Sequence, residues 1–281
     1  MYEPIYAPIL SQTLGPIPQA SFGITYTNRP INSSEKTDPL HIHSYIEIFF
    51  NLSTEVSFLV NNRIYSVPAG SVVISKKNDV HVCFFNKPDV YEYFVLWIDT
   101  DTSSPLLSFL DSIGNSPLLE LDNRAKNELS SEMFFLFNET ADSLNAVERA
   151  AALLRILRLL KSAEAPRNND MAVYPTELKK ILDDIKQNYA SLKNVNDLAE
   201  RHFVSPATLN RRFRKYLGLS PREYIEAKKL SASAELLSSG VSVTEACMKC
   251  GFSDCSYFIA LFKKKFGKTP LKYKNEALKN K

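Results

Sequence analysis

The sequence predicts an α+β protein: an N-terminal antiparallel β-barrel with helices after it, then an all-α domain with two helix-turn-helix motifs joined by a linker helix. Three observations predict this. Residues 20–100 carry short runs rich in Ile, Val, Phe and Tyr. After residue 103 apolar residues recur at three and four, the helical period. Beyond Thr176 one helix-rich segment occurs twice in similar form.

The strands are expected at Ile46–Leu52, Val56–Val60, Ile64–Val67, Ser71–Ser75, His81–Phe85 and Glu92–Ile98. Asn61-Asn62 marks a tight hairpin and Pro68-Ala69-Gly70 a second turn. Several short strands at close spacing suit a small antiparallel barrel or sandwich. Helices are expected at Ala125–Phe137 and Asn145–Ser162. In the second of these, Val147, Ala150, Ala151, Leu154, Leu157 and Leu160 form a stripe that Leu153, Ile156 and Leu159 widen. Two readings stand: an ordinary packing helix, or a homodimer seam through Leu153, Leu154, Leu157 and Leu160. The polar stretch from Glu164 to Asp170, with Pro166, reads as a linker. The expected division is residues 1–165, a linker at 166–173, and residues 174–281.

Charge supports that division. The 281 residues carry a net charge of only +3. From residue 171 onward, however, 21 Lys and Arg face 11 Asp and Glu, a net of +10, while residues 1–170 carry −7. A basic half suits a polyanionic partner. The 8 glycines are dispersed and make no GxG, which removes the phosphate-cradling loops of dinucleotide- and nucleotide-binding folds. The N-terminus lacks a secretory pattern and no apolar run is long enough to span a bilayer, so a cytoplasmic protein with no membrane partner is expected. Cys247, Cys250 and Cys255 crowd into a stretch that reads as helix, poor geometry for a disulfide, and reduced thiols are expected. Cys247 and Cys250 are expected to pack as small apolar residues.

Three of the 4 histidines lie in the strand region, as His41-Ile-His43-Ser-Tyr-Ile-Glu47 and His81. On a regular strand His41, His43 and Glu47 share a face, and imidazole with carboxylate suits a divalent transition metal. These residues resemble the first motif of the cupin family, HxHxxxE, with Gly70 through His81 and Asn86 resembling its second motif at looser spacing. The resemblance allows a divalent metal in the barrel, although metal-free cupins retain parts of the same pattern. The alternatives are that the four side chains line an effector pocket or satisfy local hydrogen bonds. No cofactor is expected.

The repeated segment runs from Val195 to Tyr224 and again from Val243 to Tyr273. Each copy has a short helix with a small residue at its middle, Ala199 or Cys247, then a turn. A second helix follows, entered at Ser205 or Ser253, with Pro206 at the first helical position. Leu209, Phe213, Phe258 and Phe262 are expected to face inward. Pro221–Ser238 reads as one connecting helix with Tyr224, Ala227, Leu230, Ala234 and Leu237 as its buried stripe, ended by Gly240. A rigid connector would hold two reading helices about 34 Å apart, one turn of B-DNA.

This arrangement resembles the C-terminal DNA-binding domain of the AraC/XylS family of bacterial transcription regulators. Residues 251–258, Gly-Phe-Ser-Asp-Cys-Ser-Tyr-Phe, and residues 262–273, with Phe262, Gly267, Pro270 and Tyr273, carry the likeness, which covers roughly 174–278. The resemblance implies double-stranded DNA as a partner, a homodimer, contact with RNA polymerase, and a small-molecule effector, often a sugar or related metabolite, in the N-terminal barrel. By position, Ala207, Thr208, Asn210 and Arg211 face bases, Arg and Asn being able to pair bidentately with guanine and adenine. Arg212, Arg214 and Lys215 are placed for phosphates. The second copy offers Asp254, Cys255, Ser256 and Ile259, and has Ala260 where the family often has Arg. Weaker base reading is expected there, with affinity from Lys263, Lys264, Lys265 and Lys268. The rivals to a ligand-responsive activator or repressor are a metal-dependent cupin enzyme using His41, His43, Glu47 and His81, and a regulator whose barrel only dimerises.

Overall fold

The computed structural model describes residues 5–8, 20–32, 40–61, 63–100, 110, 116–138, 146–165 and 175–279. The segment 166–173, expected as a linker, lies outside the described residues. Among them, β1 (Ile5–Pro8), β2 (Ala20–Ile31), β3 (Ile46–Asn51), β4 (Val56–Val60), β5 (Arg63–Val67), β6 (Ser71–Ser75), β7 (His81–Phe85), β8 (Asp89–Thr100) and β9 (Leu118–Glu120) precede α1 (Asn123–Asn138) and α2 (Ala146–Ser162). The C-terminal part contains α3 (Thr176–Asn188), α4 (Val195–Arg201), α5 (Pro206–Leu217), α6 (Pro221–Ser238), α7 (Val243–Lys249), α8 (Cys255–Phe266) and α9 (Pro270–Lys279).

The strands form two antiparallel sheets, a six-stranded one in the order β1-β2-β8-β3-β6-β9 and a three-stranded one in the order β5-β4-β7. Among the described strands no ladder joins the two, so the expected barrel is not closed. The alternation of side chains along each strand explains the layering. On β3 and β8, Ile46, Ile48, Phe50, Phe94, Leu96 and Ile98 cover one face and pack beneath α1 and α2. Phe49 and Tyr93 point the other way, into a core shared with Phe58, Val67 and Phe85 of the smaller sheet. That sheet's outer face, Leu59, Ile64, Val82 and Phe84, is buried against the C-terminal helices. The molecule is therefore four layers: two helices, a six-stranded sheet, a three-stranded sheet, and the helical domain.

This layering decides between the two readings of α2. Leu153, Leu157 and Leu160 are buried in the chain's own core against the larger sheet. They are not a homodimer seam, because the six-stranded sheet needs a helical cover for its outer face. Only Leu154, 47% exposed, and Val147, 55% exposed, remain on the outside.

In the C-terminal part the expected inward residues Leu209, Phe213, Phe258 and Phe262 are all fully buried. The repeat differs at its turn. Gly251 adopts φ +75°, and a Cβ there would stand 2.0 Å from the Ala190 carbonyl oxygen. Phe203 occupies the matching place in the first copy, with φ +52° and 97% of its surface exposed. The cysteine expectation is overturned: Cys247 and Cys255 form a disulfide. The residues between them are not one helix. The turn at Gly251 folds α8 back on α7 and leaves the two Cα atoms 5.9 Å apart, within ordinary disulfide reach. Cys250 stays free and buried, its thiol pushed up to about 11 by burial.

Two outcomes follow from these placements. Gly251→Ala lowers stability by more than the ~1–2 kcal/mol of left-handed strain alone, because the Ala190 backbone must also move. Phe203→Asn, which loses no packing, raises the melting temperature; thermal unfolding of both variants checks the pair. Lys228 on α6 is pushed down to about 8 by burial, with Asp79, Lys186 and Glu235 as its charged neighbours. The unfolded chain holds that proton up to about 10.4, so the folded state binds fewer protons between the two values and Lys228 adds stability as pH rises through that window. The stability difference between wild type and Lys228→Met, followed from pH 7 to 10.5, must show this slope.

Candidate nucleic-acid interface and inter-sheet histidine cluster

The first reading head is built by caps at both ends. Asn194 caps α4, its side chain accepting from the Asp197 amide, and Ser205 caps α5, accepting from the Thr208 amide. Pro206 follows at the first helical position and Gly218 ends the helix in the left-handed conformation. Leu209, Phe213 and Leu217 fill the inner face of α5. Ala207, Asn210, Arg211, Arg214 and Lys215 are exposed on the other side, with Arg212 half-buried at its edge. The Thr208 hydroxyl accepts from Ser205 Oγ at 2.9 Å, so it belongs to the cap. Arg214 lies 3.7 Å from Glu223 and donates to the Gly218 carbonyl, and Lys215 lies over the Tyr216 ring.

The second head differs. Of the two residues that could cap α8, Ser253 and Asp254, it is Asp254 that does so, accepting from the Ser256 and Tyr257 amides. Cys255 is committed to the disulfide. Ser256, Ile259 and Ala260 are left facing out, with Lys263 and Lys264 beyond them. Lys265 donates to the Leu40 carbonyl at 3.1 Å and Lys268 pairs with Glu276 at 2.6 Å. Of the four lysines expected at phosphates, Lys263 and Lys264 make no such contact among the described residues.

The α6 helix fixes the heads to each other through residues that sequence reading did not single out. Lys229, itself buried, donates to the Leu192 carbonyl before α4 and the Gly251 carbonyl in the second turn, at 3.1 and 2.7 Å. Burial lowers the pKa of its ammonium group. Arg222 pairs with Glu226 at 2.8 Å, and both hold the Tyr257 hydroxyl of α8. Lys229 appears in the sequence only as a polar gap beside Leu230, a faint signal.

The four expected residues of the N-terminal part also meet, although not on one regular strand. His41 pairs with His81 as an isolated bridge, a bend at Ser44-Tyr45 intervenes, and Glu47 lies on β3. The four ligand-type atoms lie within 4.8 Å of one another. Glu47 carboxylate oxygens stand 3.7, 3.3 and 3.4 Å from Nε2 of His41, His43 and His81. Burial pushes the Glu47 carboxyl up, but the surrounding imidazoles, His81 foremost, outweigh it and hold the group well below the usual carboxylate range. Burial lowers the His43 pKa, against the pull of Glu47. Trp97 and Ser75, cross-strand neighbours of Glu47 on β8 and β6, were not singled out from sequence. Trp97 Nε1 donates to Glu47 at 2.9 Å.

Residues 198–276 match a family model described as a helix-turn-helix domain. The HTH-type transcriptional activator RhaS of Salmonella schwarzengrund (strain CVM19633) is 25% identical over 245 residues, covering 83% of this chain and 86% of the relative. RhaS of Salmonella heidelberg (strain SL476) is similar to the same extent. Among solved structures, ToxT from Vibrio cholerae O395 is 18% identical, covers 90% of this chain and 98% of its own, and has a TM-score of 0.38, too low to bear on the layering described above. No helix among the described residues is long and apolar enough to cross a membrane. The two capped helix-turn-helix heads, the family match and the length of the RhaS likeness agree with the expectation from residues 251–273: residues 198–276 form a helix-turn-helix domain, and most of the chain is similar to transcriptional activators.

Proposed function

We propose that the chain is an effector-responsive transcriptional activator of the cytoplasm, reading DNA mainly through α5. The observation that carries this reading is the pair Asn210 and Arg211. Both are exposed on a helix whose other face is fully packed, and neither makes a hydrogen bond or ion pair among the described residues. Such a helix can enter the major groove without breaking internal contacts, leaving Arg211 for a guanine edge and Asn210 for an adenine edge. Arg212, Arg214 and Lys215, with Lys263 and Lys264 on the second head, are assigned to phosphates. In the second head Ser256 and Ile259 are left to read, a hydroxyl and an apolar surface suited to a thymine methyl.

The N-terminal part is assigned the role of a cupin-like sensing domain, with its effector held between the two sheets by His41, His43, Glu47 and His81. Activation in relatives named as transcriptional activators supports RNA polymerase as a further partner. Pairing of two copies rests on Val147 and Leu154, seven residues apart on the outer face of α2.

Selection of binding sites from random duplex DNA by the full chain tests the reading. Arg211→Ala relaxes preference at one base position by about 1–3 kcal/mol, while Lys264→Ala weakens all sites alike and lowers the slope of log affinity against log salt by about 1. Selected sites unchanged by Arg211→Ala would remove α5 from base reading.

A further inference from the structure

The second reading head carries a sulfur pair that the first lacks. Cys247 lies in α7, Cys255 is the first residue of α8, and the two are joined. Counted from the start of α4 and α7, Cys247 matches Ala199; counted from the caps of α5 and α8, Cys255 matches Pro206. The first head therefore folds on the same plan with no bond between its helices. The second has other supports too. Phe258 packs on Phe252 and Phe262, with ring centroids 4.9 and 5.7 Å away, and Asp254 caps α8. With the bond open, the Cys247 thiol also has an acceptor, since the Phe252 carbonyl stands 3.8 Å from its Sγ.

A bond that the fold can do without is out of place in the cytoplasm proposed above, where thiol pools keep cysteines reduced. Disulfides that form there are usually transient and respond to oxidants. The four cysteines differ in the way such a response requires. Cys83, Cys247 and Cys250 are buried. Burial pushes the Cys250 thiol up to about 11, which keeps it protonated and unreactive at neutral pH. Cys255 is only half-buried, and it begins the helix that carries Ser256, Ile259, Lys263 and Lys264 outward. With the bond closed, that end of α8 is tied to the fully buried Cys247. With it open, the first turn rests on the Asp254 cap, on Phe258 and on Tyr257, whose hydroxyl meets Arg222 and Glu226.

We propose that Cys247 and Cys255 are a reversible thiol–disulfide pair, closed by hydroperoxides and opened by dithiol reductants, that sets how firmly the second head engages DNA. Cys255 reacts first. Its sulfur bonds to one peroxide oxygen, the O–O bond breaks, and the thiol proton leaves with the other oxygen as water or an alcohol. Cys247 then attacks the sulfenic sulfur: an S–S bond forms, the S–O bond breaks, and the hydroxide leaves as water with the Cys247 proton. Two electrons pass from the pair to the peroxide. A dithiol returns two electrons and two protons by exchange and becomes a disulfide itself. The closed pair presents α8 already ordered, so binding at the second half-site loses less conformational freedom. The first head, with Ala199 and Pro206, has no such control. The DNA half of the proposal rests on the regulator reading above; the thiol chemistry does not.

The full chain, reduced with dithiothreitol, freed of it and titrated with hydrogen peroxide, tests both halves. Alkylation and peptide mass spectrometry read each cysteine. The expected result is that Cys247 and Cys255 lose their thiols together, Cys83 and Cys250 keep theirs, and dithiothreitol restores the pair. Cys247→Ala, which installs the residue of the first head, leaves Cys255 as a sulfenic acid captured by dimedone. Cys255→Ser leaves Cys247 unoxidised. On duplexes selected by the full chain, the oxidised protein binds about fivefold or more tightly than the reduced one. A duplex cut back to the half-site of the first head shows no difference, and Cys247→Ala loses the difference on both. Oxidation that spares Cys255, or a pair that dithiothreitol does not reopen, overturns the site. Cycling with no change in DNA affinity, or with an equal change on the single half-site, overturns control of the second head. Cycling in a chain that binds no DNA in either state sinks the reading of α5 and leaves the thiol pair standing.

Discussion

Helix α6 is held from three directions at once, and the rest of the molecule is arranged around that constraint. Its apolar positions Tyr224, Ala227, Leu230, Ala234 and Leu237 are buried in a core that includes both reading heads and the outer face of the three-stranded sheet. Its polar positions are equally committed. Lys229 donates to carbonyls beside each head, Arg222 and Glu226 grip Tyr257, and Ser231 and Lys228 reach across to Asn78 and Asn61 of the N-terminal part. A buried ammonium group without such acceptors would be strongly unfavourable, so the Lys229 contacts hold the loop before α4 and the turn at Gly251 in register with each other. The helix is a strut between heads and also the surface on which the sensing part rests.

On the proposed function, that second role is what would couple the N-terminal part to the DNA-binding helices. Residues 40–43 and the start of β7 carry histidines of the cluster on one face and apolar contacts to the C-terminal helices on the other. A ligand that moves His43 or His81 has no means of leaving Ile42 or Val82 undisturbed, because the pairs share a backbone. Coupling between two sites requires a ligand to favour one arrangement over another; here the two arrangements would differ in how tightly residues 40–43 and 78–81 seat on α6, α8 and α9. Engagement of Lys265 with Leu40 belongs to the same interface and removes from the DNA surface a lysine that charge alone would have placed there.

The two heads are related in sequence but unequal in chemistry. Ser205 and Pro206 start α5 and leave Asn210 and Arg211 exposed, with no hydrogen bond or ion pair among the described residues. In the second head Asp254 is spent on its own helix cap and Cys255 on Cys247, so the start of α8 is braced and its outward face is short of donors. Gly251 meets a tight backbone approach that Phe203 does not, which is why the second turn has a glycine and the first tolerates a strained aromatic.

Local chemistry made much of this legible before any coordinates. Caps, turn residues and periodicity act over a few residues, so the strands from Ile46 onward, the two helix-turn-helix units, the inward Leu209, Phe213, Phe258 and Phe262, and the convergence of His41, His43, Glu47 and His81 could all be read from the sequence. Other features depend on which surfaces meet, and only the tertiary structure decided them. Sheet closure failed because the described strands separate into two ladders. Leu153, Leu157 and Leu160 turned inward because the larger sheet needed covering, whereas an apolar stripe alone suits a core or a partner equally. Cys247 met Cys255 because the turn at Gly251 folds the two helices back on each other, an approach that the spacing of the cysteines alone does not show. Trp97, Ser75 and the α6 contacts to Asn61 and Asn78 stayed hidden for the same reason: they join residues more than twenty positions apart, where no local pattern reaches. The sequence by itself determined the elements, the heads and the ligand-type residues; packing decided that the backbone carrying His41, His43 and His81 also contacts the C-terminal helices.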